Sequence, residues 1–320
     1  MPEKSEILCF EVSQEHPTLP KSEILAVTKG KILYEHPGII IARVRAPDYE
    51  RIRKLGMTHR VSRVLFSGDL TKLLEFCRDF HLSGSFRVRA VKKRADVSAS
   101  EIERTVGGEL KKEGMRVDLS SPDYEFRVIA GRIFHLCLKL FECGRKELMK
   151  RKPHNMPFFH PGVMIPQFSR ALVNISEVRE GEILLDPFCG AGGILYEAEA
   201  LSLRTIGVEI NPKIIFGARK NVSSELILGD AKSLPLKSSS VHSVVSDFPY
   251  GRSSSLSDPA EKLYPSALEE IHRVLKSGRR AVIATNKDIR ELIIPLFKIE
   301  EIHKHRVHGT LTRHFWVLRK

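Results

Sequence analysis

The residues best suited to chemistry follow a series of short apolar segments in the C-terminal half of the chain. After the first segment comes a glycine-rich run from Asp186 to Gly193, Asp-Pro-Phe-Cys-Gly-Ala-Gly-Gly. Glycines let a backbone pass close to a ligand, and a helix that opens there offers free N–H groups. The dinucleotide pattern G-x-G-x-x-G fails at Leu195, and the Gly-Lys-Ser/Thr of a P-loop is absent. The run alone therefore leaves nicotinamide, flavin and adenosylmethionine sites open.

Acidic residues end the next two segments. Glu209 stands about 20 residues beyond the glycine run, where an acid would bind both hydroxyls of a ribose. Asp230 ends the third segment, where its carboxylate would accept a hydrogen bond from an adenine amino group. Taken singly, each acid is as readily an ordinary residue at a strand end. Together with Asp186, they favour a cofactor that carries a nucleoside.

The fourth segment ends in Asp247, Phe248, Pro249 and Tyr250. With the glycine run, this tetrapeptide resembles that of the amino-group methyltransferases that use S-adenosylmethionine. Their tetrapeptide is usually Asp/Asn/Ser-Pro-Pro followed by an aromatic residue, and Phe248 departs from it at the second position. Without the resemblance, Asp-Phe-Pro-Tyr is a turn that ends a strand.

The residue types suit such chemistry. A guanine or adenine amino group is a poor nucleophile because its lone pair is delocalised into the ring. Asp247 and a backbone carbonyl of the Phe248-Pro249 turn can accept its hydrogen bonds, and Tyr250 can stack on the flat base. Catalysis would then be mainly positioning for in-line transfer, without a covalent enzyme intermediate. A base inside a helix must be flipped out to reach such a pocket.

A second resemblance covers nearly the whole chain. Residues 158–164, Phe-Phe-His-Pro-Gly-Val-Met, and residues 170–174, Arg-Ala-Leu-Val-Asn, resemble the segment before the catalytic domain of one tRNA-modifying family. These are the archaeal and eukaryal THUMP-domain tRNA guanosine 2-amino methyltransferases that act on position ten. The division that this implies is a ferredoxin-like unit at 1–58, a THUMP RNA-binding domain at 59–150, a linker or cofactor-side loop at 151–166, and a methyltransferase domain at 167–320.

The resemblance also implies an activity and its partners. It implies an enzyme that transfers one or two methyl groups from S-adenosylmethionine to a tRNA guanine amino group, with THUMP gripping the acceptor end. It implies a small zinc-binding activator protein, for which apolar residues near 204–209 are either an interface or plain core. A loop at His160 would close over the cofactor, although a lone histidine is as readily structural. The expected cofactor contacts are His160, Pro161, Asp186, Pro187, Cys189, Gly190, Gly192, Glu209, Ile210, Asp230, Ala231 and Asp247.

Alternating strands and helices must position these residues. From residue 167 onward the pattern repeats strand and helix, which predicts a mostly parallel sheet with helices on both faces and an antiparallel hairpin at 297–304 and 314–318. Ligands of such sheets bind at the carboxyl ends of the strands. The fold class is therefore α/β, a Rossmann-like methyltransferase domain preceded by ferredoxin-like and THUMP units. Periodicity does not decide whether 133–141 is strand or helix, and the prolines of 151–167 indicate a shaped loop.

The charge of the chain points to a polyanion. Its 320 residues include 52 Lys and Arg against 39 Asp and Glu, a net charge of +13. Residues 51–100 hold twelve bases and four acids, and residues 301–320 hold five and one. A solvated strand edge is the alternative for the first stretch. The second, rich in histidine, is interpreted as an RNA-facing rim rather than a metal site. The predicted RNA contacts are Arg87, Arg89, Lys92, Lys93, Arg94, Arg252 and Arg313.

Several classes are excluded or disfavoured. No run of about 18 apolar residues exists, so no membrane span is expected. The start, Met-Pro-Glu-Lys, is not a signal peptide, and five cysteines without a C-x-x-C pair favour a reducing, cytoplasmic setting without structural zinc. Three alternatives stay open: an amino methyltransferase for ribosomal RNA or DNA adenine, a non-catalytic RNA-binding protein, and a nicotinamide oxidoreductase. The last leaves the tetrapeptide at Asp247 unexplained.

Overall fold

The chain folds into two compact units. The computed structural model describes residues 5–93, 96–112, 114–250, 260–308 and 311–320. The first unit comprises the chain up to Glu15, Thr28–Arg53 and Thr58–Cys143, and the second comprises His16–Val27, Lys54–Met57 and the chain from Gly144 onward.

The first unit contains one sheet of eight strands. In chain order they are β1 (Ser5–Val12), β2 (Lys31–His36), β3 (Ile39–Arg45), β4 (Thr58–Gly68), β5 (Ser85–Lys92), β6 (Arg116–Val117), β7 (Tyr124–Ala130) and β8 (Phe134–Glu142). Side by side their order is β2-β3-β1-β4-β8-β7-β5-β6. Since β4 pairs with β1 on one side and β8 on the other, one sheet runs through both segments that the sequence divides at residue 58. That division into two domains stays a prediction.

Four helices belong to the N-terminal half. They are α1 (Leu19–Thr28), α2 (Tyr49–Arg53), α3 (Leu70–Asp79) and α4 (Ala99–Lys112). On β5, Phe86 and Val88 are buried in one core with Leu73 of α3 and Val106 of α4, whereas Arg87 between them lies outside it. The alternation is that of a strand with one covered face. The undecided segment 133–141 is the strand β8, because its backbone completes the ladders of β4 and β7.

The second unit contains a sheet of seven strands. They are β9 (Ile183–Asp186), β10 (Arg204–Glu209), β11 (Glu225–Leu228), β12 (Val241–Asp247), β13 (Leu275–Thr285), β14 (Lys298–His308) and β15 (Leu311–Arg319). Their order is β11-β10-β9-β12-β13-β15-β14. Strands β9 to β13 pair in parallel, and β14 and β15 form the predicted antiparallel hairpin. The predicted mostly parallel α/β sheet with a terminal antiparallel hairpin is confirmed.

Helices cover both faces of this sheet. They are α5 (Arg145–Lys150), α6 (Pro166–Ile175), α7 (Gly193–Glu199), α8 (Pro212–Ala218), α9 (Ala260–Val274) and α10 (Arg290–Ile293). Neighbouring residues of each strand enter different cores, as a period of two requires. Val244 and Trp316 pack in the core that includes α9, whereas Val245 and Phe315 pack in the core that includes α6. No helix within the described residues is long and apolar enough to cross a bilayer.

Helix α1 contributes a buried carboxyl to the second unit. Glu23 is fully buried and accepts hydrogen bonds from the backbone N–H groups of Gly56 at 2.6 Å and Met57 at 3.0 Å. Asn174 of α6 donates a third at 2.7 Å. Burial raises the pKa of Glu23, and these three donors oppose that effect. The carboxyl therefore ties the segment Lys54–Met57 to α1 and α6.

Candidate active site

Three acids meet at the carboxyl edge of the parallel strands. Asp186, Glu209 and Asp247 are the last residues of β9, β10 and β12, and β9 lies between the other two strands. Parallel neighbours end at the same edge, so these side chains share one region. Asp186 is linked to β12 by a 2.6 Å hydrogen bond from the Ser246 hydroxyl.

The glycine run forms a turn that only glycine adopts readily. Gly190 and Gly192 have φ angles of 52° and 87°, in the left-handed region. A β-carbon at Gly192 would lie 3.1 Å from Val222, whereas one at Gly190 would point into open space. The backbone N–H of Cys189 donates to Val208 at 3.0 Å, and its thiol is buried, which raises the thiol's pKa. The turn thus exposes backbone rather than side chains at its tip.

Asp186 is almost completely enclosed. It is 1% exposed and accepts hydrogen bonds from Ser246 at 2.6 Å and from the backbone N–H of Phe188 at 3.1 Å. Burial raises its pKa to about 7, and the nearby carboxylates of Asp247 and Glu209 act in the same direction. Asp186 therefore fixes the start of the glycine turn and does so partly in its protonated form near neutral pH.

Glu209 and Asp230 supply the acceptors that a nucleoside needs. Glu209 accepts from the N–H groups of Gly190 at 3.2 Å and Asn211 at 2.9 Å, which holds it against the glycine turn. Asp230 accepts from the N–H of Lys232 at 2.9 Å. Ile210 beside them is 51% exposed. Carboxylates that can accept from ribose hydroxyls and an amino group, next to an uncovered apolar side chain, fit S-adenosylmethionine.

The loop before α6 is fastened to the same turn through Asn221. Its side-chain amide accepts from the Phe158 N–H at 2.9 Å and donates to the carbonyls of Phe158 and Ala191, both at 2.8 Å. The Phe158 ring covers Gly217 of α8, where a β-carbon would lie 2.4 Å from the ring. His160 and Pro161 follow closely after Phe158, so the hydrogen bonds of Asn221 fix the start of the loop that carries them.

Part of the tetrapeptide packs in the hydrophobic core, and the rest lies at the pocket. Phe248 is 1% exposed, its N–H donates to Ala284 at 2.9 Å, and its ring packs on Phe188 and Tyr264. The Pro249 carbonyl accepts a 2.8 Å hydrogen bond from the Tyr264 hydroxyl. Phe248 thus anchors the turn from inside the core, which accounts for an apolar residue at the position where the related motif has proline.

Asp247 and Tyr250 face each other at the end of this turn. The Tyr250 hydroxyl donates to Asp247 Oδ1, and burial raises the pKa of both groups. Arg313 of β15 completes the group, with Nη2 3.2 Å from Asp247 Oδ2 and Nε 2.5 Å from the Tyr250 oxygen. The sequence placed Arg313 only among RNA contacts, yet it lies beside the predicted catalytic acid.

The other predicted RNA contacts lie in the first unit or outside the described residues. Arg87 forms an ion pair with Glu125 at 2.5 Å, and Arg89 lies 3.6 Å from Glu103. Lys93 donates to the carbonyl of Pro37 at 2.8 Å, and Lys92 is exposed. Arg94 and Arg252 fall outside the residues that the structure describes.

Comparison with known proteins identifies the family. Residues 153–314 match the family described as UPF0020, RMKL-like methyltransferase domain. The tRNA (guanine(10)-N2)-dimethyltransferase of Methanothermobacter thermautotrophicus is 32% identical, over 94% of this chain and 96% of that protein. The chain belongs to the family of tRNA (guanine(10)-N2)-dimethyltransferases. The enzyme of the same name from Pyrococcus abyssi is 29% identical, again over 94% of this chain and 96% of its own length.

Solved structures agree on the fold. TrmN from Thermus thermophilus has a TM-score of 0.55 at 21% identity and covers 99% of this chain and 100% of its own. SMU.472, a methyltransferase crystallised with SAH, has a TM-score of 0.50 at 14% identity, over 100% and 99% of the two chains. The predicted S-adenosylmethionine-dependent methyltransferase and tRNA guanine-N2 methylation are confirmed at the level of the family. The roles of single residues stay predictions.

Sequence reasoning missed Ser246 and Asn221 and gave Arg313 a different role. Ser246 precedes the predicted catalytic acid and holds Asp186, Asn221 ties the His160 loop to the glycine turn, and Arg313 pairs with Asp247. For Ser246, the one signal in the sequence is its position directly before the tetrapeptide at Asp247. Asn221 and Arg313 carry no local signal, because each acts across the fold on a segment distant in sequence.

Proposed function

We propose that the second unit methylates the exocyclic N2 amino group of guanosine at position ten of tRNA, adding one or two methyl groups. One observation carries this proposal, the partly buried Asp247 carboxylate held beside Tyr250 at the end of β12. A carboxylate in that setting accepts hydrogen bonds from an amino group, and the ring offers a flat apolar face to a base. The proposal of a second methyl group rests on the names of the relatives, which are dimethyltransferases.

The proposed mechanism is positioning. Bound S-adenosylmethionine supplies an electrophilic methyl group, and we assign Glu209, Asp230 and the backbone at Gly190 to holding it. Asp247 and the Phe248 carbonyl accept the two amino hydrogens, since the Pro249 carbonyl already accepts from Tyr264. The nitrogen lone pair is thereby aimed at the methyl carbon. As the N–C bond formed, the bond from the methyl carbon to the sulfur of the cofactor would break, and S-adenosylhomocysteine would leave with that electron pair. The nitrogen would then carry one proton too many, and Asp247 Oδ is the base within reach.

The first unit is proposed to bind tRNA. Lys92 and Lys93 at the end of β5 are offered as phosphate contacts. Arg87 and Arg89 share their charge with Glu125 and Glu103, so we assign them a smaller part of the affinity. Arg94 and Arg252 are kept in the proposal on their sequence positions alone.

An activator protein is proposed to bind at the free edge of the second sheet. Strand β11 is the last strand on that side, and an edge strand offers unpaired backbone groups to a partner. Leu228 on it is 57% exposed, and Phe216 on α8 is 61% exposed. The apolar residues of 204–209 are instead core, since Ile206 and Val208 are buried. A partner with an apolar surface and its own edge strand fits this place.

A cytoplasmic location is part of the same proposal. All five cysteines are reduced thiols outside any disulfide, and all are buried. A chain with five reduced cysteines suits a reducing compartment.

Labelled cofactor and defined transcripts test the function. Each transcript is incubated with the full chain and methyl-labelled S-adenosylmethionine, digested to nucleosides, and analysed by mass spectrometry. Label in N2-methylguanosine and N2,N2-dimethylguanosine supports the proposal. Label in any other nucleoside overturns it, and a reaction that starts only when a zinc-binding partner is added supports the activator.

A further inference from the structure

Arg313 reaches the catalytic acid from the antiparallel hairpin at the end of the chain. Strand β15 pairs with β13, where His314 lies opposite Thr285, and Ala284 lies opposite Asp247 of β12. Arg313 lies one residue before His314, and its side chain reaches the Asp247 carboxylate and the Tyr250 oxygen. It is 13% exposed, and the Asp247 side chain is 18% exposed.

The contacts of Arg313 are shared between two groups of the pocket. Its Nη2 lies 3.2 Å from Asp247 Oδ2, its Nε donates to the Tyr250 oxygen at 2.5 Å, and its guanidinium lies 5.5 Å from the centre of the Tyr250 ring. Tyr250 in turn donates to Asp247 Oδ1. These contacts close a ring of three side chains, in which the planar guanidinium fixes both partners.

The surroundings of Asp247 explain why a cation is needed there. The charged and titratable groups that face it are Asp186 on β9, Tyr250 in the turn, Tyr264 on α9 and Arg313 on β15. Burial raises the pKa of Asp247, and Arg313 and then Tyr250 oppose that effect. A protonated carboxyl would lose part of its capacity to accept hydrogen bonds from an amino group. Arg313 is the cation in this set that keeps Asp247 in its accepting form.

We propose that Arg313 is a positioning residue for methylation, which fixes the plane of the Asp247 carboxylate and the ring of Tyr250 and supplies the counter-charge of the pocket. This inference rests on the proposed function, because it gives Asp247 the role of amine acceptor. Each carboxylate oxygen keeps a second lone pair beyond its present partner, so each can still accept a hydrogen bond from an amino group. A direct contact between Arg313 and RNA phosphate is the competing role.

The test compares Arg313→Gln and Arg313→Lys with Lys298→Gln as a control. Lys298 lies on the same hairpin, is exposed, and pairs in register with Arg319 far from the pocket. For each variant, kcat and KM for tRNA are measured from pH 5.5 to 9 and at two salt concentrations, and cofactor binding is measured by calorimetry. Unchanged calorimetry and an unchanged far-ultraviolet spectrum show that the variant is folded.

Arg313→Gln is expected to lower kcat about 10- to 100-fold at pH 6.5, the size of one hydrogen bond to a charged group. The acid limb of its profile is expected to move upward by about one pH unit, so that part of the loss recovers at high pH. Arg313→Lys restores the acid limb but not the full kcat, because lysine keeps the charge and lacks the planar fork.

Two results would overturn the inference. One is an Arg313→Gln profile that coincides with wild type in pH and kcat. The other is a raised KM for tRNA with a weaker salt dependence and an unmoved acid limb, the behaviour of a phosphate contact. If the wild-type chain forms no N2-methylguanosine, the proposed function itself has failed, and the two failures are thus distinct.

Discussion

Two carboxyls at adjacent strand ends, Asp186 and Asp247, have different neighbours. Asp247 has the guanidinium of Arg313 and the hydroxyl of Tyr250 beside it, which oppose the effect of burial on its pKa. Burial raises the pKa of Asp186 to about 7, and the nearby carboxylates of Asp247 and Glu209 act in the same direction. One acid is thereby suited to accept hydrogen bonds from substrate, and the other to hold structure.

Asp247→Asn is expected to separate chemistry from cofactor binding. Asparagine keeps the size of the side chain but replaces one acceptor oxygen by a donor that faces the amino hydrogens. We expect kcat to fall by at least about 100-fold, in line with loss of a buried charged acceptor. Isothermal calorimetry should show cofactor affinity within about threefold of wild type. An activity near that of wild type would remove Asp247 from its proposed role.

Asp186→Asn is expected to change how stability depends on pH. Because the folded pKa of Asp186 is raised from 3.8 to about 7, its contribution to stability is fully present below pH 3.8 and is lost as the pH rises through 7. The neutral amide has no such loss. As the pH rises from 4 to 8, the free energy of unfolding of the variant should increase relative to that of wild type by up to about 4 kcal/mol.

The measurement is chemical unfolding followed by the fluorescence of Trp316. It is the single tryptophan of the chain and is fully buried in the second unit. A difference between wild type and variant that stays constant across this pH range would contradict the raised pKa.

At the scale of elements, helix α8 and the loop before α6 meet at one close contact. The Phe158 ring occupies the space in which any side chain at position 217 would lie. Gly217→Ala should displace the ring and loosen the loop that carries His160 and Pro161. We expect a weaker binding of S-adenosylmethionine, by about 1 to 2 kcal/mol, typical of moderate overpacking.

The matched control for this prediction is the double variant with Phe158→Leu. Leucine lacks the outer ring atoms that approach position 217, so it should return part of the affinity in the Gly217→Ala chain. Calorimetry on the four chains of this cycle gives the coupling between the two positions. Additive effects would mean that the ring and α8 do not position the loop.

Helix α1 is expected to depend on one carboxyl for its place in the second unit. Glu23→Ala leaves the N–H groups of Gly56 and Met57 and the amide of Asn174 without their acceptor. We expect a loss of about 3 kcal/mol or more in the free energy of unfolding. Trp316 fluorescence during denaturation measures it, with the exposed Glu180→Ala as control. Equal stability of the two variants would show that the hydrogen bonds of Glu23 do not hold α1 in the second unit.

The sequence predicted the elements whose pattern is local. The strand and helix repeat from β9 to β13 appears, as does the hairpin of β14 and β15. It did not predict α6, because prolines 161 and 166 indicated a loop, although proline at a first helical position favours a helix. It also did not assign α1 to the second unit, since Glu23 acts through residues distant in sequence.

In the site too, features set by local patterns could be predicted, and contacts between distant segments could not. Asp186, Glu209 and Asp247 could be placed at one sheet edge because parallel strands end together. Arg313 could not be paired with Asp247, since that contact depends on the register of β15 against β13. The arginines of β5 were predicted as RNA contacts, and their pairing with Glu125 and Glu103 depends on strands and helices that no local pattern joins.

At the scale of the whole molecule, the charge is divided between binding and chemistry. Residues 151–300 hold 19 bases and 17 acids, so the segment that carries most of the pocket is close to neutral. The excess lies in residues 51–100 and 301–320. This distribution suits a chain whose basic stretches attract a polyanion and whose segment with the three strand-end acids is itself close to neutral.

The most direct measurement uses two tRNA transcripts that differ at one nucleotide, guanosine or inosine at position ten. Inosine is guanosine without its 2-amino group, so the pair differs in the atom that Asp247 is proposed to hold. Methyl transfer from labelled S-adenosylmethionine is counted for each transcript. The account predicts one or two methyl groups on the guanosine transcript and none on the inosine transcript. Equal incorporation into both would contradict it.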